Sequence, residues 1–328
     1  MSTIKDVALL ANVSVTTVSR VLNRRGYISE EVRRKVEEAM EQLDYYPNQI
    51  ARSLQKSQSY IIGLIVLDSN NAFFSELTKY IELFANEKNY KILLCNSNNQ
   101  PKKEESYINM LKQNQVDGII MCSHSIDIEA YTKINLPVIS FDRVISNQIP
   151  YVASNNHQGG VVATEHLIGQ GCKCLLHICG SMDIDVLPNK RTEGFIEVCK
   201  SNDIHFKVIE SGHHNLIFDK TLMFIQESIL PIIKEFDGVF CSSDLLAYAL
   251  YTSVTSIGIK VPEELKIIGF DNDSFIRMLR EPKLTTIAQP IKSISKLLTN
   301  KLISLIENRD SAIDDDIVDI KLIKGDTT

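Results

Sequence analysis

The chain has 328 residues, 44% of them hydrophobic, and a formal net charge of -6. That length exceeds one compact core and fits two or three domains, and the acidic balance excludes a protein that is basic throughout. No charged start leads into an apolar leader, and no run approaches the ~20 apolar residues of a membrane span, so a cytoplasmic protein with no membrane partner is expected.

The seven cysteines sit mostly in apolar runs and show no paired CxxC spacing, which reads as reduced core thiols. Charge is unevenly spread: residues 1–58 hold nine Lys and Arg against seven Asp and Glu, leaving -8 for the rest. A slightly basic head on an acidic body fits a small nucleic-acid module joined to something that stays off nucleic acid. An asymmetry this small also arises by chance.

In chain order, the first element is the stretch IKDVALLANVSVTTVSRVLN (4–23). Thr3 can cap a helix with Asp6 three residues on, and Ile4, Val7, Ala8 and Ala11 recur at helical spacing. Asn12-Val13 interrupts the pattern. Ser14 then caps a second helix whose stripe is Val18, Val21 and Leu22, while Val15, Thr16, Ser19 and Arg20 point elsewhere. Small, hydroxylated and guanidinium side chains on the first turns of such a helix suit major-groove readout, because Arg forks to guanine and methyls touch thymine. Taken alone, the pair also fits a helical hairpin within a larger core.

Arg24-Arg25-Gly26-Tyr27 reads as a loop. Ser29 caps a third helix with Glu30 and Glu31 in its first turn and Val32, Val36, Ala39, Met40 and Leu43 on one face. Arg24, Arg33, Arg34 and Lys35 are candidates for phosphate contact or for a solvated face. In YYPNQIARSLQKSQS, Pro47 halts the preceding helix and Asn48 can cap a helix of about two turns carrying Ile50, Ala51 and Leu54, too short to be stable unless something packs on it. Leu54 could serve it as an apolar wedge for the minor groove. The segment fits an inert linker equally well.

From Tyr60 the texture becomes βα. The runs 61–67, 91–96, 118–123 and 137–142 predict buried parallel strands, with helices at 74–88, 102–115 and 127–133. A second series starts at Gly159: a helix to 169, strand 175–180, helix 190–202, strand 205–211, helix 219–234, strand 238–242, helix 245–257 and strand 266–271. Two series imply two doubly wound domains, with function at the carboxyl ends of the strands. Those ends carry Asp68 to Asn71 with Phe73 and Phe74, Ser123 and His124, Asp142 and Arg143, Ser154 to Asn156, Ser243 and Asp244, and Asp271 to Asp273. Carboxylates, amides, a guanidinium and a pair of rings facing a cleft are the chemistry of sugar binding.

An enzyme is the competing class. The chain has no GxGxxG after its first strand, no GxxxxGK[ST], no GxSxG elbow and no HExxH, and no cofactor or metal site is expected. His213-His214 has no obvious third ligand, and His177, inside a strand, reads as a satisfied core histidine.

These residues resemble the lactose/galactose repressor family of transcription regulators along the full length. IKDVALLANVSVTTVSRVLN is similar to its headpiece, YYPNQIARSL to its hinge helix, NKRTEGF to the segment carrying its ligand arginine, and VPEELKIIGFDNDSF and LTTIAQP to its core motifs. Within the family, NNAFF, CSHSIDIEAY and VISFDR are most similar to the sucrose-operon branch. The implied fold is a small all-α helix-turn-helix headpiece (1–46), a hinge helix and linker (47–59), and an effector-binding and dimerisation core of two doubly wound α/β subdomains (60–328), like periplasmic sugar-binding proteins.

The resemblance implies that Val15, Thr16 and Arg20 read bases, that Ser14, Thr17, Ser19 and Asn23 lie near phosphates, and that Leu54, flanked by Ala51, wedges into the operator centre. It implies an effector site of Asp68, Phe73, Phe74, Asp142, Arg143, Arg191, Ser243 and Asp271. The partners are double-stranded operator DNA, a sugar effector (sucrose, fructose or a phosphate of these) and a second copy of the chain. The acidic, polar end lacks a leucine-heptad tail, which favours a dimer over a tetramer. The alternatives are a regulator that needs a purine or phosphoprotein co-repressor, and a stand-alone sugar-binding protein. The chain departs from the family pattern at Asn155-Asn156, Gly171-Cys172 and Ser243-Asp244. Ser243 stands where an amide is common, which bears on ligand identity.

Overall fold

The computed structural model describes residues 2–23, 25–46, 58–123, 131, 134–183, 185–212, 218–308 and 314–328. The chain divides into two compact units, Met1–Ser59 and Tyr60–Thr328.

Among its described residues the first unit holds three helices, α1 (Ile4–Leu10), α2 (Val15–Asn23) and α3 (Glu30–Gln42). The capping box forms as the sequence predicts: Asp6 N donates to Thr3 Oγ1 at 3.4 Å, and Thr3 N donates to Asp6 Oδ2 at 2.7 Å. Ser14 Oγ accepts from Thr17 N at 3.0 Å to start α2, and Ser29 Oγ accepts from Val32 N at 3.4 Å to start α3. Asn12 takes φ +53° in the turn between α1 and α2, a left-handed conformation that Asn tolerates better than most residues. Val7, Ala8, Ala11, Val18, Val21, Val36 and Ala39 form the core, with Leu22, Met40 and Leu43 packed against it. The predicted hinge helix falls at 48–55, outside the described residues.

The second unit contains two six-stranded sheets. The first runs β11 (Asp316–Val318), β5 (Tyr151–Ser154), β4 (Val138–Phe141), β3 (Gly118–Cys122), β1 (Ile61–Val66), β2 (Lys91–Asn96). All its pairings are parallel. The second runs β12 (Lys321–Ile323), β10 (Thr285–Ala288), β9 (Lys266–Asp271), β8 (Gly238–Cys241), β6 (Cys174–Cys179), β7 (His205–Glu210), with β12 antiparallel to β10. The helices are α4 (Ala72–Glu87), α5 (Pro101–Gln113), α6 (Asn156–Gly169), α7 (Lys190–Ser201), α8 (Phe218–Phe224), α9 (Asp244–Ser256), α10 (Ser274–Met278) and α11 (Ile291–Glu307). Among the described residues no helix is long and apolar enough to cross a membrane.

The predicted strands and helices up to Asp271 match to within a few residues, with two exceptions. The helix predicted at 127–133 falls almost wholly outside the described residues. The one predicted at 219–234 is α8 followed by a wide turn at Ile225–Ile229 and a tight one at Ile233–Glu235. Pro231 is the reason, since it lacks the amide hydrogen a continuous helix needs there.

The chain does not finish one lobe before starting the next. It crosses from β5 to α6, returns from β10 to α11, and crosses again from β11 to β12. α11 belongs to the first lobe, where Ile291, Ile294, Leu298 and Leu302 pack with Ile62, Leu64, Phe73, Phe74 and Leu77. The carboxyl ends of both sheets therefore face one cleft, with the crossovers beside it.

Candidate functional site

On α2, Val15, Thr16 and Arg20 are exposed, Val15 at 42%, while Val18 and Val21 face the core. Ser14 Oγ and Thr17 Oγ1 lie 2.8 Å apart. Asn23 Nδ2 donates to Ser19 O at 2.9 Å and to Ser19 Oγ at 3.3 Å. The helix is thus braced by its own hydroxyls and amide, leaving Val15, Thr16 and Arg20 outward. On α3, Arg34 pairs with Glu38 and Lys35 with Glu31 across one turn, the arrangement of a solvated face. Ala51 and Leu54 lie outside the described residues.

In the second unit a cavity of about 180 Å³ opens between the lobes. The first lobe contributes rings. Asn71 caps α4, its Oδ1 accepting from Phe73 N at 3.0 Å and Phe74 N at 3.3 Å, and this turns both side chains into the cavity. Phe73 stacks on Phe141, centroids 5.6 Å apart at 23°, and meets Phe74 edge-on at 5.5 Å. Asp142 ends β4 in the left-handed region at φ +53°. Its Oδ1 accepts from Ser154 N at 3.2 Å and Asn156 Nδ2 at 2.9 Å.

The second lobe contributes Arg191 from the first turn of α7. Its Nε donates to Asn156 Oδ1 at 2.8 Å and its Nη1 to Ser242 O at 2.8 Å, while the guanidinium lies 3.6 Å from the centre of the Phe270 ring. Asp142 Oδ2 stands 3.9 Å from Nη2 and Asp271 Oδ1 3.8 Å from Nη1. Two glycines set this position: a Cβ on Gly160 would fall 2.0 Å from Arg191 O, and one on Gly194 would fall 2.3 Å from His157 O. Only glycine lets α6 and α7 approach so closely.

Gln289, at the β10 crossover, donates from Nε2 to Asp271 Oδ1 at 2.6 Å and accepts from Ser154 Oγ at 2.5 Å, tying the strand ends of the two lobes together. Ser243 lines the cavity and caps α9, its Oγ accepting from Leu246 N at 3.3 Å. Outside the cavity, Arg277 Nη2 of α10 meets Glu76 Oε2 of α4 at 2.6 Å and forms a second link between the lobes.

The cleft is electrostatically strained towards neutrality. Burial raises the Asp142 carboxyl to about 6, with Arg191 opposing the rise. Burial raises Asp271 as well, again against the pull of Arg191, and lowers Arg191. Behind them, Asp244 and Asp273 are pushed up by burial and by Asp271. Asp244 accepts from Thr286 Oγ1 at 2.6 Å and from Asp273 N at 2.8 Å.

Of the effector residues expected from the sequence, Phe73, Phe74, Asp142, Arg191, Ser243 and Asp271 meet at the cavity. Two do not. Asp68 is not among the lining residues; it accepts from Asn70 N at 3.0 Å in a local turn. Arg143 is 2% exposed and also off the lining, near Glu104 and Tyr131, whose charges act on it. It directly follows Asp142, whose φ of +53° turns the chain, and its side chain is buried away from the cavity. The sequence reading missed Gln289, Phe141 and Thr192; it named Asn71 among the strand-end residues but not its capping of α4. Gln289 follows a short strand, and the strand-end rule would have found it had β10 been read as one. His177 is a satisfied core histidine as expected. It lies 2.9 Å from Phe240 O and 3.0 Å from Thr192 Oγ1, and burial holds it down at about 4. His213 and His214 lie outside the described residues.

A helix-turn-helix unit and a bilobed α/β core with a polar cleft between its lobes define the class of a ligand-responsive transcription regulator. Residues 3–48 match the model of bacterial regulatory proteins of the lacI family, and residues 164–328 that of a periplasmic binding protein-like domain. The sucrose operon repressor of Pediococcus pentosaceus is 40% identical over 99% of this chain and 98% of its own. The ribose operon repressor of Halalkalibacterium halodurans is 38% identical over 94% and 92%. The crystal structure of a periplasmic binding protein/LacI transcriptional regulator from Alkaliphilus metalliredigens complexed with D-xylulofuranose is 33% identical. It superposes with a TM-score of 0.76 over 82% of this chain and 99% of that one. The chain belongs to the lacI family of bacterial regulatory proteins.

Proposed function

We propose that the protein is a sequence-specific repressor of a sugar-utilisation operon, with no enzymatic activity of its own. It acts in the cytoplasm as a homodimer whose paired heads hold a near-palindromic operator until a sugar fills the cleft. Val15, Thr16 and Arg20 read bases, Ser14, Thr17, Ser19 and Asn23 sit by phosphates, and Ala51 and Leu54 act at the operator centre. Phe73 and Phe74 stack on the sugar, and Asp142, Arg191, Ser243 and Asp271 bind its hydroxyls.

The observation that carries this reading is Arg191, which stands between Asp142 of one lobe and Asp271 of the other. A ligand whose hydroxyls engage that triad favours one lobe angle over another. If the favoured angle is the one in which the paired heads cannot dock, linkage requires operator affinity to fall by the same coupling free energy, typically ~1–3 kcal/mol. The names of the sucrose and ribose operon repressors and the D-xylulofuranose in the solved relative support a sugar as effector.

The test is fluorescence anisotropy of the full chain on an operator selected from random DNA, with and without sucrose, fructose and ribose. One sugar should weaken binding at least about fivefold. Tightening by a ligand would replace induction with co-repression, and indifference to every sugar would remove the cleft from regulation.

A further inference from the structure

The cleft walls carry two carboxylates, Asp142 and Asp271, against one cation, Arg191. That cation is already engaged by Asn156 Oδ1, Ser242 O and the Phe270 ring. Its distances to the carboxylates, 3.8 and 3.9 Å, are too long for hydrogen bonds, so Asp142 Oδ2 and Asp271 Oδ2 keep acceptor capacity for a ligand. Ionised carboxylates accept only, and they select groups that donate.

Two helix N-termini at the cleft are also capped by their own side chains. Helix N-termini hold phosphates when their first amides are free, but at α4 the amides of Phe73 and Phe74 are taken by Asn71 Oδ1, and at α9 that of Leu246 is taken by Ser243 Oγ. Among the described residues no lysine lines the cavity, and Lys190, at the start of α7, pairs with Glu193. The undescribed segments after β3, β6 and β7 carry one lysine, Lys133, and three histidines, His124, His213 and His214.

We infer that the cleft takes an unphosphorylated sugar and rejects sugar phosphates. A phosphate in this site faces two carboxylates and, among the described residues, one cation that other groups already engage. The inference rests on the reading of the cleft as a sugar site and narrows it: the signal is a free sugar, formed after transport by dephosphorylation of a phosphorylated one, or taken up as such.

Isothermal titration of the full chain with fructose, ribose, xylulose, sucrose, fructose 1-phosphate, fructose 6-phosphate and ribose 5-phosphate tests it. At least one free sugar should bind, and the phosphates of a bound monosaccharide at least about 100-fold more weakly than the sugar itself, since like charges brought together across a dry contact are strongly disfavoured. A phosphate bound within threefold of its parent sugar overturns the inference. Silence from all seven probes instead overturns the sugar reading beneath it. In Asp142→Asn, the ratio of phosphate to free-sugar affinity should rise at least fivefold; an unchanged ratio removes the carboxylate as the cause.

Discussion

Arg20 on α2 and Arg191 on α7 are the arginines on which the two proposed activities turn, and their surroundings are opposite. Arg20 is exposed on a helix whose apolar residues face the other way. Arg191 is 7% exposed, ringed by Asn156, Ser242, Phe270 and two carboxylates. A side chain held ready for an external partner contributes little to folding. One that neutralises buried carboxylates supports the site it serves, so binding and stability are separable in the head and fused in the cleft.

The sharpest way to break that contrast is Arg191→Ala. Removing one partner of a buried charge cluster costs about 3 kcal/mol or more, here softened as Asp142 and Asp271 take up protons. Thermal unfolding should shift down by several degrees, sugar binding should vanish, and operator binding should persist and no longer respond to sugar. A variant that still leaves the operator at the normal sugar concentration would show that Arg191 is not in the site. Arg20→Ala should do the reverse. The melting temperature should stay within about a degree, while discrimination between operator and random DNA falls by about 2 kcal/mol, the scale of one bidentate base contact, leaving weak salt-sensitive binding. If the variant discriminates operator from random DNA as well as the unmodified protein does, base reading does not pass through Arg20.

The same contrast explains what was legible in the sequence. The head could be read almost residue by residue because its signals are local: a cap at Thr3, another at Ser14, another at Ser29, and apolar stripes at helical spacing. The cleft was legible where a polar residue closes an apolar run, as Asp142 follows β4 and Asp271 ends β9. It was obscure where no apolar run marks the strand. β10 is TTIA, half threonine, and β11 and β12 span only three residues each, and with them went Gln289 and the repeated crossing between lobes. Arg143 failed for a different reason. Its identity and position suit a sugar site, and only the turn of the chain through the positive φ of Asp142 sends it the other way. No pattern of residue types encodes that turn, and Asn71 was passed over as part of a polar loop although its side chain caps α4 beneath Phe73 and Phe74.

The smallest effect is a pH dependence that separates the two arginines again. Asp142 has its carboxyl raised by burial from 3.8 to about 6. In the free protein a raised carboxylate favours folding while protonated, so its contribution is complete below pH ~4 and is lost as pH rises through about 6. Sugar binding has the opposite sign, because hydroxyls donate to the ionised form and draw its pKa back down. At pH 5.5 only about a quarter of Asp142 is ionised in the free protein, so sugar affinity should fall roughly fourfold between pH 7.5 and 5.5, with proton release on binding at the lower pH. Titration in buffers of different ionisation enthalpy measures both. Asp142→Asn should reduce the slope, leaving the part carried by Asp271, while operator binding without sugar should change little over the same range. A sugar affinity independent of pH in the unmodified protein would mean that the hydroxyls bind elsewhere than on Asp142.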